Sequence, residues 1–158
     1  MITAPTTAQL VRSVRSELES RVLPEIADKA LLVDLQMMLS VLDMVAVRAD
    51  HEIGWMAAET ESIAAAIEQH AKAHPLAEPV RAALDRVRTT RPADLSYAEM
   101  QRHYLLAGEL LARASEQAGA GDEDLQPVVW QLLEQRLENE LGSIGAFVAV
   151  GRTEDSVG

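Results

Sequence analysis

Cysteine is absent from the 158-residue chain. Disulfides, thiolate nucleophiles and cysteine-ligated zinc or iron–sulfur centres are therefore excluded. Aromatic residues are nearly absent too, with one Phe, two Tyr and two Trp. Strands draw on aromatic and β-branched runs, so this scarcity argues against a β architecture. Lysine is reduced to Lys29 and Lys72, and no Lys/Arg stripe offsets a net charge of -11. Such a chain repels phosphate backbones and anionic bilayer surfaces, so neither nucleic acid nor a membrane is expected as a partner. The glycine patterns GxxxxGK[ST], GxGxxG and GxSxG are missing, which leaves nucleotide-binding and serine-hydrolase folds without support and no cofactor expected. Residues 1–9 (MITAPTTAQ) lack the basic and apolar regions of a signal peptide, and no apolar run reaches the roughly 20 residues of a bilayer span. A cytoplasmic protein is the expectation.

What remains is rich in Ala, Leu and Val, with six Met, and hydrophobic residues make up 48% of the chain. Ala and Leu are strong helix formers, and the length suits one domain with its own core. The reading is an all-α protein: one helical domain over 1–158, folded as a single antiparallel bundle of five to six helices, with frayed ends at about 1–5 and 152–158. The preference for Arg over Lys, with abundant Ala, suggests a GC-rich bacterial genome.

The helix boundaries follow from local chemistry. Thr6 and Gln9 have capping-box spacing and open a first amphipathic helix that Pro24 ends. The second helix, about Asp28 to Asp50, is apolar nearly all round, as buried helices are. It is expected to be central, wrapped by its neighbours or shared with a second subunit. Gln36, Ser40 and Asp43 give it one narrow polar edge, with Asp34 opposite. Residues 51–73 read as a third helix or a bent continuation, with Gly54 near the bend and Asp50-His51-Glu52 as its polar marker. A short helix follows Glu78, with Pro79 in its first turn. Ser96 and Glu99 form a second capping box opening a helix to about Gln117. After the Ala118-Gly-Ala-Gly-Asp turn, a last helix starts near Leu125 and runs into an apolar tail, Ile144 to Val150.

Carboxylates and histidines carry whatever chemistry the chain has. Asp43 and Asp50 share a face of the second helix beside His51, and Glu99 and His103 lie one turn apart on another helix. Carboxylate and imidazole on facing helices are how bundles hold metals. The Glu-x-x-His spacing of di-iron bundles is missing, so no metal is assigned and these five residues stand as an alternative metal or acid–base site. Asp34, if enclosed by apolar groups, would need a partner such as an Arg of a neighbouring helix or subunit; a structural ion pair is the plain meaning and a raised catalytic pKa the sharper one. His70 and His74 sit one turn apart and could reach one ion from the same helix face, but they lie at a helix end, where capping or surface exposure is the plain reading. Met37, Met38, Met44 and Met56 either fill a core or line a pocket for a small apolar ligand. The apolar tail packs on the bundle or on a partner, which makes Met37, Met44, Ile144, Phe147 and Val148 the candidate interface.

The block LVRSVRSELESRVLPEI, followed by LLVDLQMMLSVLDMVAVRA and later by LSYAEMQRHYLLAGELL, resembles a family of small uncharacterised bacterial helical proteins. Its members are often encoded beside phosphotransferase-like kinases and acyl-CoA dehydrogenases. The resemblance implies an accessory role near a metabolic enzyme and carries no functional residues. The nearly all-round apolar second helix and the lack of a catalytic motif make the expected function a non-enzymatic accessory or interaction protein, a homodimer or other homo-oligomer through helix two or the C-terminal apolar segment, with an enzyme as a possible partner. The alternatives are a carboxylate/histidine enzyme and a carrier of an apolar ligand.

Overall fold

Helix signals and helix positions agree closely in the computed structural model, which describes residues 5–144. The fold is all-α, with five α-helices and no strand among the described residues. Helix α1 spans Thr7–Glu17 and opens on the complete Thr6/Gln9 capping box. It loosens and then tightens at its end, through a π turn over Leu18–Val22 and a 3₁₀ turn over Leu23–Glu25 that holds Pro24. Helix α2 spans Lys29–Ala71, α3 Glu78–Thr89, α4 Tyr97–Gly119 and α5 Gln126–Ile144. Phe147 and Val148 lie outside the described residues, as does the side chain of Ile144.

Two expectations about the second helix are corrected. It does not end or turn at Asp50-His51-Glu52, because α2 continues unbroken to Ala71. No proline stands between Pro24 and Pro75, and one glycine costs a helix only about 1 kcal/mol. The i,i+4 pair of Arg48 with Glu52 adds support across the polar stretch. A Cβ at Gly54 would meet nothing within 4 Å. Gly54→Ala is therefore expected to stabilise the protein by about 0.5–1 kcal/mol in a thermal or urea melt, the sign expected of an exposed helical glycine. The first part of α2 is also not wrapped within the monomer. Leu31, Val33, Met37, Met38, Val41 and Val45 are all exposed.

The contacts divide the chain into two compact units, one holding the chain through Glu52 together with the end of α5 from Leu141, and the other Ile53–Glu140. In the first, α1 and the opening half of α2 form an antiparallel hairpin: Arg12 reaches Asp50 at 2.7 Å and Arg15 reaches Asp43 at 2.7 Å. Leu35, Leu39 and Ala46 are its buried residues on α2, and Ala8 on α1. The polar edge carrying Asp43 consequently borders α1.

The second unit is a four-helix bundle running up, down, up and down. Arg88 of α3 sits between Glu61 and Glu68 of α2, Arg86 pairs with Glu109 of α4, and Arg136 of α5 returns to Glu59 of α2. Its core holds Ile63, Ile67, Val80, Val87, Leu110, Leu111 and Leu125, with Ala64, Ala107 and Ala114 allowing close helix approach. The second capping box is half formed. The Ser96 hydroxyl accepts from Glu99 N, but the Ser96 N–H goes to Asp94, and Glu99 instead accepts from Ala93 N.

Candidate functional site

Apolar side chains left in water are the most informative feature of the hairpin unit. At 100° per residue, Leu31, Val33, Met37, Met38, Val41 and Val45 fill an arc of about 160° on α2, one edge of which borders α1. Helix α1 adds Leu10, Val14 and Val22, also exposed. Between the two helices lies an open groove of about 590 Å³. Val14 and Leu18 form one wall and Met37, Met38, Val41 and Leu42 the other, with Asp34 as its single charged residue. Asp34 is exposed to water, so its carboxylate is not the enclosed charge that would demand a partner. Of the expected interface residues, Met37 lies in this surface and Met44 is half-buried beside it.

Four of the five alternative metal or acid–base residues are occupied with structural work. Asp43 and Asp50 are the ion-pair partners of Arg15 and Arg12. The Asp43 contact is ionic rather than a well-aligned hydrogen bond, since Arg15 Nε makes none. His51 is on the exposed surface of the same unit. In the bundle unit, Glu99 takes the Ala93 N–H and pairs with Arg102, while His103 Nε2 donates to the Val87 carbonyl at 3.0 Å. That carbonyl can only accept, so the proton sits on Nε2. Among the described residues, no three His, Asp or Glu side chains gather in a way that could hold a metal ion.

Two polar clusters are found in the bundle, and the spacing of His70 and His74 is the one sign of them in the sequence. Glu59 is only 7% exposed, accepts the Tyr104 hydroxyl at 2.9 Å and has Arg136 Nε at 3.5 Å. The Arg136 guanidinium also stands 5.4 Å from the Tyr104 ring centre, within cation–π range. Burial, followed by the bond to Glu59, pushes the Tyr104 phenol up to about 12. An acid with a raised folded pKa contributes its stability below the unfolded value near 10 and loses it as pH climbs through 12. Titration of the phenolate absorbance in a Tyr97→Phe background is expected to place Tyr104 near 12, with helicity falling over the same range. A midpoint near 10 would mean that the phenol is neither buried in the bundle nor held by Glu59.

The second cluster lies at the end of α2. His70 is buried, not the surface or capping residue that its place before Pro75 suggests. Its ring stacks on His74 at 4.8 Å, and its Nε2 stands 3.9 Å from Asp122 without a hydrogen bond. His74 pairs with Asp124 at 3.2 Å. Asp122 also accepts from Gln117 and from Leu125 N, and the Gln117 bond is the main reason its carboxyl stays below the usual range. Gln117 in turn accepts the Ala77 N–H, so this knot ties the α2–α3 connection to the α4–α5 turn.

Helix α2 carries an 18-residue window apolar enough, by length and composition alone, to cross a membrane. That corrects the expectation that no stretch of the chain has this character, although core helices of soluble proteins pass the same test. Comparison with protein-family models, curated proteins and solved structures finds no match to the chain.

Proposed function

We infer that this protein works by association, through the apolar face of the α1–α2 hairpin, with a second copy of itself as the partner. One observation carries the reading: nine Leu, Val and Met side chains of one hairpin are exposed together. They leave on the order of 800 Å² of apolar surface in water, above the patch size usual for a monomer and equal to one partner's share of a standard interface. Two helices also bury little between them, and pairing two hairpins would give each a four-helix environment.

A lipid surface is less well suited to the same face. The apolar stretch of α2 carries Asp34 and Asp43, and a carboxylate at the centre of a spanning helix costs about 2.5–3.5 kcal/mol. An enzyme partner, as the family resemblance implies, would use the same face in place of the second copy. A non-enzymatic role fits the five carboxylate and histidine candidates, four of which serve in ion pairs, caps or backbone hydrogen bonds.

Sedimentation velocity over a wide concentration range tests the reading. A species of twice the 17.2 kDa chain mass that dissociates on dilution is expected. A monomer at every concentration would overturn it.

A further inference from the structure

The exposed arc of α2 has a charge pattern that complements itself. Asp34, Val41 and Arg48 are spaced by seven residues, so they fall on one line along the helix, near the middle of the arc. Met37 and Met44 border this line on one side and Met38 and Val45 on the other. Asp34 and Arg48 therefore stand at equal distances from Val41, about 10.5 Å along the axis at 1.5 Å per residue. Both are exposed, and Asp34 has no ion-pair partner among the described residues. Glu52 on the same helix is one of the contacts of Arg48, and the five donors of a guanidinium allow it several carboxylate contacts at once.

We propose that two copies pair through α2 in antiparallel register about a two-fold axis at Val41, each Asp34 meeting Arg48 of the other copy. This rests on the association inferred above and adds its geometry. A two-fold contact is isologous, so residue i meets j while j meets i, and a surface with opposite charges equidistant from one apolar residue meets that condition. Antiparallel pairing about Val41 forms two opposite-charge contacts. Parallel pairing in the same register opposes Asp34 to Asp34 and Arg48 to Arg48. The pattern selects direction and register, while the apolar residues between supply the association. Val41 at the axis brings two Cβ atoms together, and Met37 then lies across from Val45 of the other copy.

The absence of cysteine makes the test direct, because an introduced thiol is unique in the chain. Val41→Cys is expected to give a disulfide-linked dimer rapidly under mild oxidation, since thiols bridge only where Cα atoms lie within about 7 Å. Leu105→Cys, on an exposed site of the bundle unit, is expected to remain monomeric under the same conditions. Asp34→Arg alone sets two like-charge contacts and is expected to weaken the dimer at least about tenfold. Asp34→Arg with Arg48→Glu restores the pairs and is expected to return affinity to within about threefold of the parent. The second substitution also sets like charges one turn apart, at position 48 and Glu52, which weakens an exposed helix by far less than about tenfold.

A wild-type dimer that neither cross-links at residue 41 nor recovers in the charge swap would overturn the register while leaving the association reading standing. A wild-type monomer that floats with phosphatidylcholine/phosphatidylglycerol vesicles, or that carries an apolar small molecule in native mass spectrometry, would overturn both.

Discussion

The double variant Met37→Asp/Met38→Asp is expected to sediment as a folded monomer at concentrations where the parent chain is a dimer. Both methionines are more than half exposed in the isolated chain, at 52% and 59%, so neither contributes much to the core of its own subunit. Placing carboxylates there leaves the α1–α2 hairpin intact, because its internal contacts are Leu35, Leu39, Ala46 and the Arg12 and Arg15 pairs. In a dimer the same carboxylates would be desolvated against apolar side chains without partners. Each unpaired buried charge costs several kcal/mol, so a loss of affinity of at least about 100-fold is expected. Unchanged circular dichroism together with a halved sedimenting mass is the result that separates a surface effect from a folding defect. A variant that stays dimeric would place the interface elsewhere.

Leu110→Ala is expected to lower stability by about 3 kcal/mol, within the 2–5 kcal/mol range for emptying a buried leucine site. Leu110 is fully buried in the bundle core, packed among side chains of the other helices. Five residues earlier on the same helix, Leu105 is 64% exposed, and Leu105→Ala is expected to change stability by less than about 0.5 kcal/mol. Urea melts followed by far-UV circular dichroism give both numbers. Equal effects would contradict the assignment of the two faces of α4.

The contrast between Leu110 and Leu105, or between Leu39 and Met38, marks where sequence reasoning stops. Periodicity identifies amphipathic helices well when their faces differ, as in α3, whose Val80, Leu84 and Val87 are all buried as their spacing implies. The opening half of α2 is apolar nearly all round, and hydrophobicity alone does not say which arc faces its own chain. The hairpin partner answers that, and it does so through Arg12 and Arg15, whose spacing carries no motif. Helix ends with local chemistry were legible: the Thr6/Gln9 box forms in full, and Pro24, Pro79 and Pro127 fall at helix ends or first turns. Glu99 shows the limit of such reading, since Asp94 competes for the N–H that a capping box would give it.

The candidate site was less legible than the fold. Asp43 and Asp50 do share a face, as their spacing requires, but that face meets two arginines of α1 and not a ligand. His70 stands out in the sequence only by its spacing from His74. What encloses it comes from the Gln117–Leu125 turn, far away along the chain, and no local pattern encodes that meeting. Glu59, Tyr104 and Arg136 do not stand out as a polar cluster, because each looks ordinary on its own helix and only the bundle brings them together.

Sedimentation equilibrium of the unmodified chain tests the central claim most directly. If the hairpin face receives a second copy, the data fit a monomer–dimer equilibrium, and the dimer disappears when Met37 and Met38 are replaced by Asp. A single species of 17.2 kDa at all concentrations, with the helices formed, would contradict it.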